Sequence, residues 1–492
     1  MLRIIETAKI NKEKTAIIAN ATSFAFGFLL EQSQQFAAHL LAGEKDLDGA
    51  RIAFMVDPGF DYVKVQWGIW QAGGVAVPLC ITHPLPSLQY VLEDTGAQTL
   101  VVSSKYHDLV AAYAMEQSIR LIVVDKVPDF PLVNLPQVDA SRNAMILYTS
   151  GTTNKPKGVV TTHANIEAQV NSISAAWKYS STDHALCVLP LHHVHGIINV
   201  VSATLWNGGT VEFISSFSVE DIFFRFLKGN INVFMAVPTI YFKLIAGWEL
   251  LDNTQQLQIR NALKQFRLMV CGSAALPVSV MENWEKLSGH VLLERYGMTE
   301  IGMGISNPYE GERRAGYIGK PLPGVTVRLV DDAMQLVEPG EPGEIHIKGE
   351  NVFKEYWNKP EATAQEFTPD GWFKTGDVAV VEDGYYRILG RSSVDIIKSG
   401  GYKLSALEIE EVLRSYPNIA DCAVVGVPDD EWGELVVAAV VPSGDLDPQV
   451  LNTWMRTQMA SYKTPRKYLL VDALPRNAMG KVVKNEVKTM FQ

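Results

Sequence analysis

The chain has 492 residues, 47% apolar and 20% charged, a balance that excludes a disordered or low-complexity chain. A formal net charge of −11 with no long Lys/Arg run excludes nucleic acid and an anionic membrane as expected partners, while a local pocket can still be cationic. Four scattered cysteines (Cys80, Cys187, Cys271 and Cys422) without CxxC spacing exclude a disulfide framework and read as buried thiols of a reducing compartment.

The early apolar stretch Phe24–Leu30 is too short to span a bilayer, and Glu6 and Glu13 fit neither a signal nor a transit peptide, so the expectation is a cytoplasmic protein. In the first half, short β-rich runs at Ala50–Val56, Gly74–Leu79, Thr99–Ser103, Arg120–Val124 and Ala144–Tyr148 alternate with helical spacing at Glu31–Ala42 and Phe60–Ala72. That alternation predicts βαβ units and largely parallel sheets. Val211–Ile214, Val233–Val237 and Leu268–Cys271 repeat the pattern. Pro277 then opens a helix to about Leu287, and His290–Glu294 reads as a strand. From Arg328 onward, Pro339-Gly340, Pro342-Gly343, Asp370-Gly371 and Asp383-Gly384 mark turns between short strands of an antiparallel sheet or small barrel. A break at Gly390–Ser393 leads into a compact α+β unit with helices at Leu407–Arg414 and Pro448–Met459 and strands at Ala420–Val427 and Val436–Val441. The fold class is therefore α/β: residues 1–390 form a large unit of parallel-rich sheets with helices and a small barrel-like part, and residues 391–492 a small mobile α+β unit.

The segment Tyr148-Thr149-Ser150-Gly151-Thr152-Thr153-Asn154-Lys155-Pro156-Lys157-Gly158 follows a strand and is filled with hydroxyls, glycine and lysine. Backbone N–H groups, hydroxyls and ammonium charge suit such a loop to a phosphate; it lacks the Gly-Lys-Ser/Thr of a Walker loop, and a polar surface loop is the alternative. Further along come Leu189-Pro190-Leu191-His192-His193-Val194-His195-Gly196, Gly272-Ser273-Ala274-Ala275-Leu276, Tyr296-Gly297-Met298-Thr299-Glu300 and Trp372-Phe373-Lys374-Thr375-Gly376-Asp377. Gly390-Arg391, Ile397-Lys398-Ser399-Gly400-Gly401-Tyr402 and Asn477-Ala478-Met479-Gly480-Lys481 complete the series.

In this order, the motifs resemble those of the adenylate-forming superfamily of acyl-CoA synthetases, luciferases and peptide-synthetase adenylation domains. The resemblance implies an ATP-dependent acid–thiol ligase that uses Mg²⁺ and coenzyme A. It places Thr149, Ser150, Gly151, Thr152, Thr153 and Lys157 on the β- and γ-phosphates, Thr299 on the α-phosphate, and Glu300 with Thr149 on the metal. Lys481 bridges the acid and the α-phosphate, Asp377 and Arg391 take the ribose, and Tyr296 with Gly297, Met298 and Gly272, Ser273, Ala274 and Ala275 lines the nucleotide. His193 gates the acid, and the C-terminal unit swings about Ser392–Asp395 to present Ser399, Gly400, Gly401 and Tyr402 to coenzyme A. Position 154 carries Asn where Gly is commoner; Asn tolerates left-handed backbone well.

For the acid itself, Arg295, Ser273, His195 and Met298 are the candidates. A guanidinium forks onto carboxylates, which points to a dicarboxylate; these segments resemble malonyl-CoA synthetases, with malonate expected first and methylmalonate next. The alternative for Arg295 is a structural pair with Glu294 or Glu300. Rival readings are a synthetase for another short or aromatic acid, and a stand-alone adenylation domain loading a carrier thiol. His192, His193 and His195 lack the accompanying ligands of a zinc site. Gly302–Asn307 lacks the third glycine and the acidic residue of a dinucleotide loop.

Overall fold

The fully buried runs Val233–Ala236 and Leu268–Cys271 have no polar face to show to water, and they lie as neighbouring parallel strands inside a sheet covered by helices. The computed structural model describes residues 2–128, 130–149, 156–214, 216–392, 394–400, 402–429, 431–476 and 481–491. Those two strands sit within a nine-stranded sheet that also holds Leu293–Met298, Gly302–Ser306, His184–Cys187, Thr210–Phe213 and Thr15–Ala19. Its middle is parallel; one edge turns antiparallel where Gly302–Ser306 folds back on Leu293–Met298.

A seven-stranded sheet runs Glu355–Tyr356, Lys157–Thr162, Asn143–Thr149, Val75–Pro78, Arg51–Met55, Thr99–Val102, Arg120–Val123, parallel from Asn143–Thr149 outward. The helices Phe26–Leu41, Phe60–Gln71 and His163–Ala176 contribute Phe36, Trp67, Val170 and Ile173 to the core that joins the two large sheets. Thr326–Val330, Gly343–Lys348, Phe373–Glu382 and Tyr385–Arg391 form a four-stranded antiparallel sheet. A fourth, five-stranded sheet, Tyr402–Ser405, Ile396–Ser399, Gly433–Pro442, Ile419–Asp429 and Lys467–Leu470, is packed by the helices Ala406–Arg414 and Pro448–Gln458 around a separate core that includes Leu413, Val424 and Met455.

Several predicted boundaries move, two of them furthest. The helix expected from Glu31 begins at Phe26, because Phe26, Leu29 and Leu30 already carry its buried stripe. The strand expected at His290–Glu294 instead spans Leu293–Met298, because its second half pairs with the returning strand Gly302–Ser306. Arg295 and Tyr296 consequently sit on a strand, on opposite faces. Among the described residues, no helix is long and apolar enough to cross a membrane.

Candidate active site

The carboxyl ends of the large parallel sheets and the four-stranded sheet bring the motif residues together. Residues Ser150, Gly151, Thr152, Thr153, Asn154 and Lys155 lie outside the described residues, as do Gly401 and 477–480. Thr149 ends the strand Asn143–Thr149, with its hydroxyl 3.5 Å from the Lys157 carbonyl. Lys157 opens the next strand; its ammonium lies 3.6 Å from Glu366 and 4.5 Å over the Tyr356 ring. The same Tyr356 donates its hydroxyl to Glu300 Oε1 at 2.9 Å. Glu300 is buried, and burial pushes its carboxyl above the usual range. It follows Thr299 in the turn between Leu293–Met298 and Gly302–Ser306.

Asp377 is met from two sides. Tyr296 donates its hydroxyl to Oδ2 at 2.6 Å, and Arg391 Nε stands 3.0 Å from Oδ1. Burial still raises the Asp377 carboxyl, against the pull of Arg391, Tyr296 and the positive charge of Lys481. Lys481 is exposed, and its field reaches Asp377 from the C-terminal unit. Gly376 takes φ +70, a left-handed turn that suits glycine, and donates its N–H to Glu344 Oε1 at 3.1 Å.

The acid candidates form a separate cluster. Arg295 Nη2 donates to Ser273 Oγ at 3.3 Å, and Ser273 Oγ lies 3.1 Å from His195 Nδ1. Arg295 is 3% exposed. Among the described residues, neither Glu294 nor Glu300 comes within ion-pair distance of it, although the Glu294 charge still bears on Arg295. Glu294 instead accepts from Leu276 N–H at 3.3 Å, on the other side of the strand. Burial lowers Arg295 only to about 10, so it stays charged at neutral pH. Gly272 makes room for it: a Cβ there would stand 2.7 Å from Arg295 Cζ.

Burial drops His195 well below the usual range, leaving a neutral ring. Arginine can only donate, so Ser273 Oγ accepts from Arg295, and its O–H is free to donate to His195 Nδ1. When that hydroxyl does donate to Nδ1, the ring proton sits on Nε2, and His195 is a donor there. Among the described residues, Arg295 Nε and His195 Nε2 are both buried without a partner. The cluster therefore holds two unspent donors and one net positive charge, a combination that fits an anion.

His195 opens a π-helical segment, His195–Ser202, a geometry often found at functional sites. Gly196 permits it, because any Cβ would strike the Pro190 carbonyl. The His192 and His193 rings lie 4.0 Å apart, tilted by 49°, with burial lowering them to about 3 and about 4. Ala274 and Ala275 are exposed beside Ser273. Met298 is partly buried, and Gly297 is needed because a Cβ would strike the Gly302 carbonyl across the hairpin. At the far side, Ser399 and Gly400 lead into the hairpin that carries Tyr402, which is exposed and stacks on Tyr462 at 4.5 Å.

Tyr356, Glu366 and Glu344 were not singled out from sequence. Each meets its partner across a long stretch of chain, and the Tyr356–Glu300 separation is 56 residues. No local spacing marks them.

The AMP-binding enzyme family profile matches residues 5–357, and the profile for the AMP-binding enzyme C-terminal domain matches 408–481. The human mitochondrial malonate–CoA ligase ACSF3 is 43% identical over 482 residues, covering 91% of this chain and 84% of that one. ATP-bound MatB from Rhodopseudomonas palustris superposes with a TM-score of 0.91 at 31% identity, covering 100% of this chain and 99% of that one. O-succinylbenzoate coenzyme A synthetase from Bacillus subtilis, in complex with ATP and magnesium ion, gives 0.86 at 28% identity over 99% of each chain.

Proposed function

We propose, for a chain that belongs to the AMP-binding enzyme family and is an AMP-forming acid–CoA ligase, that the acid is malonate, with methylmalonate second. The observation that carries this reading is the unspent donor pair of Arg295 and His195. One carboxylate of the acid must attack phosphorus. A monocarboxylate would then leave the guanidinium buried beside an apolar tail, at a cost of several kcal/mol. A second carboxylate relieves it by accepting from Arg295 Nε–H and His195 Nε2–H. The names of two relatives, malonate–CoA ligases of Arabidopsis thaliana and Homo sapiens, point the same way.

In this reading one carboxylate oxygen bonds to the α-phosphorus of ATP as the bond to pyrophosphate breaks, and the coenzyme A thiol then displaces AMP from the acyl carbon. Lys481 offsets the repulsion between acid and α-phosphate, an assignment supported by its field at Asp377. Asp377 keeps one lone pair free on each oxygen after meeting Tyr296 and Arg391, enough to accept both ribose hydroxyls. Tyr296, Gly297, Met298 and Gly272–Ala275 line the nucleotide; Thr149, Ser150, Gly151, Thr152, Thr153 and Lys157 hold its outer phosphates, and Thr299 the α-phosphate. His193 gates the acid, which Met298 also lines. Glu300 and Thr149 offer the hard oxygens Mg²⁺ prefers, and a buried carboxyl raised by desolvation suits a cation that would neutralise triphosphate charge. Residues 1–390 and 391–492 act as two units, the second turning about 392–395 to bring Ser399, Gly400, Gly401 and Tyr402 to coenzyme A. The four free, buried cysteines support a reducing compartment such as the cytoplasm.

The test is an acid panel with hydroxamate trapping. Malonate should give the highest acid-dependent AMP formation; a better monocarboxylate would remove malonate from the reading. Free coenzyme A against a pantetheinylated carrier identifies the acceptor, with coenzyme A expected.

A further inference from the structure

The helix Val278–Ser288 starts without a cap of its own. Pro277 occupies the cap position, no side chain of that residue accepts, and the first turn holds no acidic residue. The first N–H groups of a helix have no partner in its own ladder; here Val280 N–H turns to the Pro277 carbonyl at 3.1 Å, which leaves the start of the helix to outside acceptors. Val278 N–H finds one in Glu411 Oε1, 3.1 Å away and 133 residues later in sequence, on the helix Ala406–Arg414 of the C-terminal unit.

The preceding N–H tells the same story from the other side. Leu276 N–H donates to Glu294 Oε1 at 3.3 Å, and Pro277 has no N–H to give. The chain leaving the Gly272–Ala275 loop is thus held by two carboxyl side chains, Glu294 from the strand that carries Arg295 and Glu411 from the C-terminal unit. Glu411 is steadied from behind by Arg414 Nη1 at 3.7 Å. A second sign of the same docking is electrostatic. The negative charge of Glu411 bears on Glu294, as the positive charge of Lys481 bears on Asp377.

We propose that Glu411 is a positioning residue. By capping the helix Val278–Ser288 it holds the C-terminal unit in the orientation that turns Lys481 toward Asp377, and it ties that orientation to the loop bearing Ser273. This rests on the acid–CoA ligase reading. The two ends of the bond lie on the two units, so the bond breaks when the C-terminal unit turns for the coenzyme A step. Glu411 therefore favours adenylate formation over thioester formation without touching either substrate. A carboxylate at a helix N-terminus is a charge-assisted contact, stronger than a neutral one.

The experiment separates the half-reactions. Glu411→Ala should slow acid-dependent ATP–pyrophosphate exchange about tenfold, while transfer of the acyl group from supplied malonyl-adenylate to coenzyme A stays unchanged or quickens. Glu411→Gln keeps an acceptor and should recover most of the exchange. Val278→Pro removes the donor at the first helical position, where proline fits, and leaves the C-terminal unit untouched. It should give the same split, and the double variant should be no slower than either single one. Exchange within twofold of the unmutated protein, a parallel fall of both half-reactions with a lowered melting temperature, or additive losses would each overturn the proposal. An unmutated protein that exchanges no pyrophosphate with any acid would instead overturn the ligase reading on which it stands.

Discussion

The two halves of the candidate site treat their polar groups in opposite ways. At the nucleotide end, Asp377 is met by Tyr296 and Arg391, and Glu300 by Tyr356, before any ligand arrives. At the proposed acid end, Arg295 shares one long hydrogen bond with Ser273, and among the described residues its Nε and His195 Nε2 are buried unpartnered. A satisfied group holds its shape at little cost and can lend a spare lone pair. An unsatisfied one is held in place by packing alone and gains most when a complementary ligand enters. Selectivity should therefore concentrate at the acid end, where the unspent interactions are.

Four changes would sharpen or break that contrast. The largest effect is expected from Lys481→Ala. Acid-dependent pyrophosphate exchange should fall about 10²–10³-fold, the usual toll for removing one charge-stabilising donor, with transfer from supplied adenylate largely kept. A loss under about fivefold would detach Lys481 from the nucleotide end.

Glu294→Gln comes next and is read through pH. Burial, with the nearby Glu411 charge, raises Glu294 to about 8 in the folded protein, against roughly 4.3 unfolded. The fold prefers the protonated acid. Its contribution is therefore fully present below the unfolded value and is lost as pH rises through about 8. Denaturation midpoints should show the unmutated protein losing about 2 kcal/mol relative to Glu294→Gln between pH 6 and 8. Parallel pH curves for the two proteins would contradict this.

Arg295→Met should stabilise the ligand-free protein by about 1–2 kcal/mol in urea unfolding, because it removes a buried charge that lacks a partner. Destabilisation of that size would mean that Arg295 is structurally paired after all. Tyr296→Phe should do the reverse, lowering stability by about 1 kcal/mol and raising KM for ATP more than KM for malonate. An unchanged midpoint would show that the Asp377 contact contributes little.

Much of this site was legible in the sequence, because its motifs are contiguous. Arg295, Ser273 and His195 each sit within a short legible segment as candidate donors to the acid, and the structure brings all three together although Ser273 is 22 residues from Arg295 and 78 from His195. The parallel strands were legible from their unbroken apolar runs, as at Val233–Ala236. What was not legible depends on pairing at a distance. The strand through Arg295 was expected to stop at Glu294, because its extension depends on Gly302–Ser306 folding back. Tyr356 and Glu411 carry no local signal, since the contacts that give them their place, to Glu300 and to Val278 N–H, come from distant parts of the chain. The π-helical start at His195 left one trace, Gly196, whose need becomes plain once Pro190 is seen against it.

The most direct measurement is the ratio of kcat/KM for malonate to that for propionate, in the unmutated protein and in Arg295→Met. Losing one partner of a buried charge pair costs about 2–5 kcal/mol, so the ratio should fall by about 10²-fold or more while propionate use stays within about tenfold. Equal losses on both acids, leaving the ratio where it was, would contradict Arg295 as the group that meets the second carboxylate.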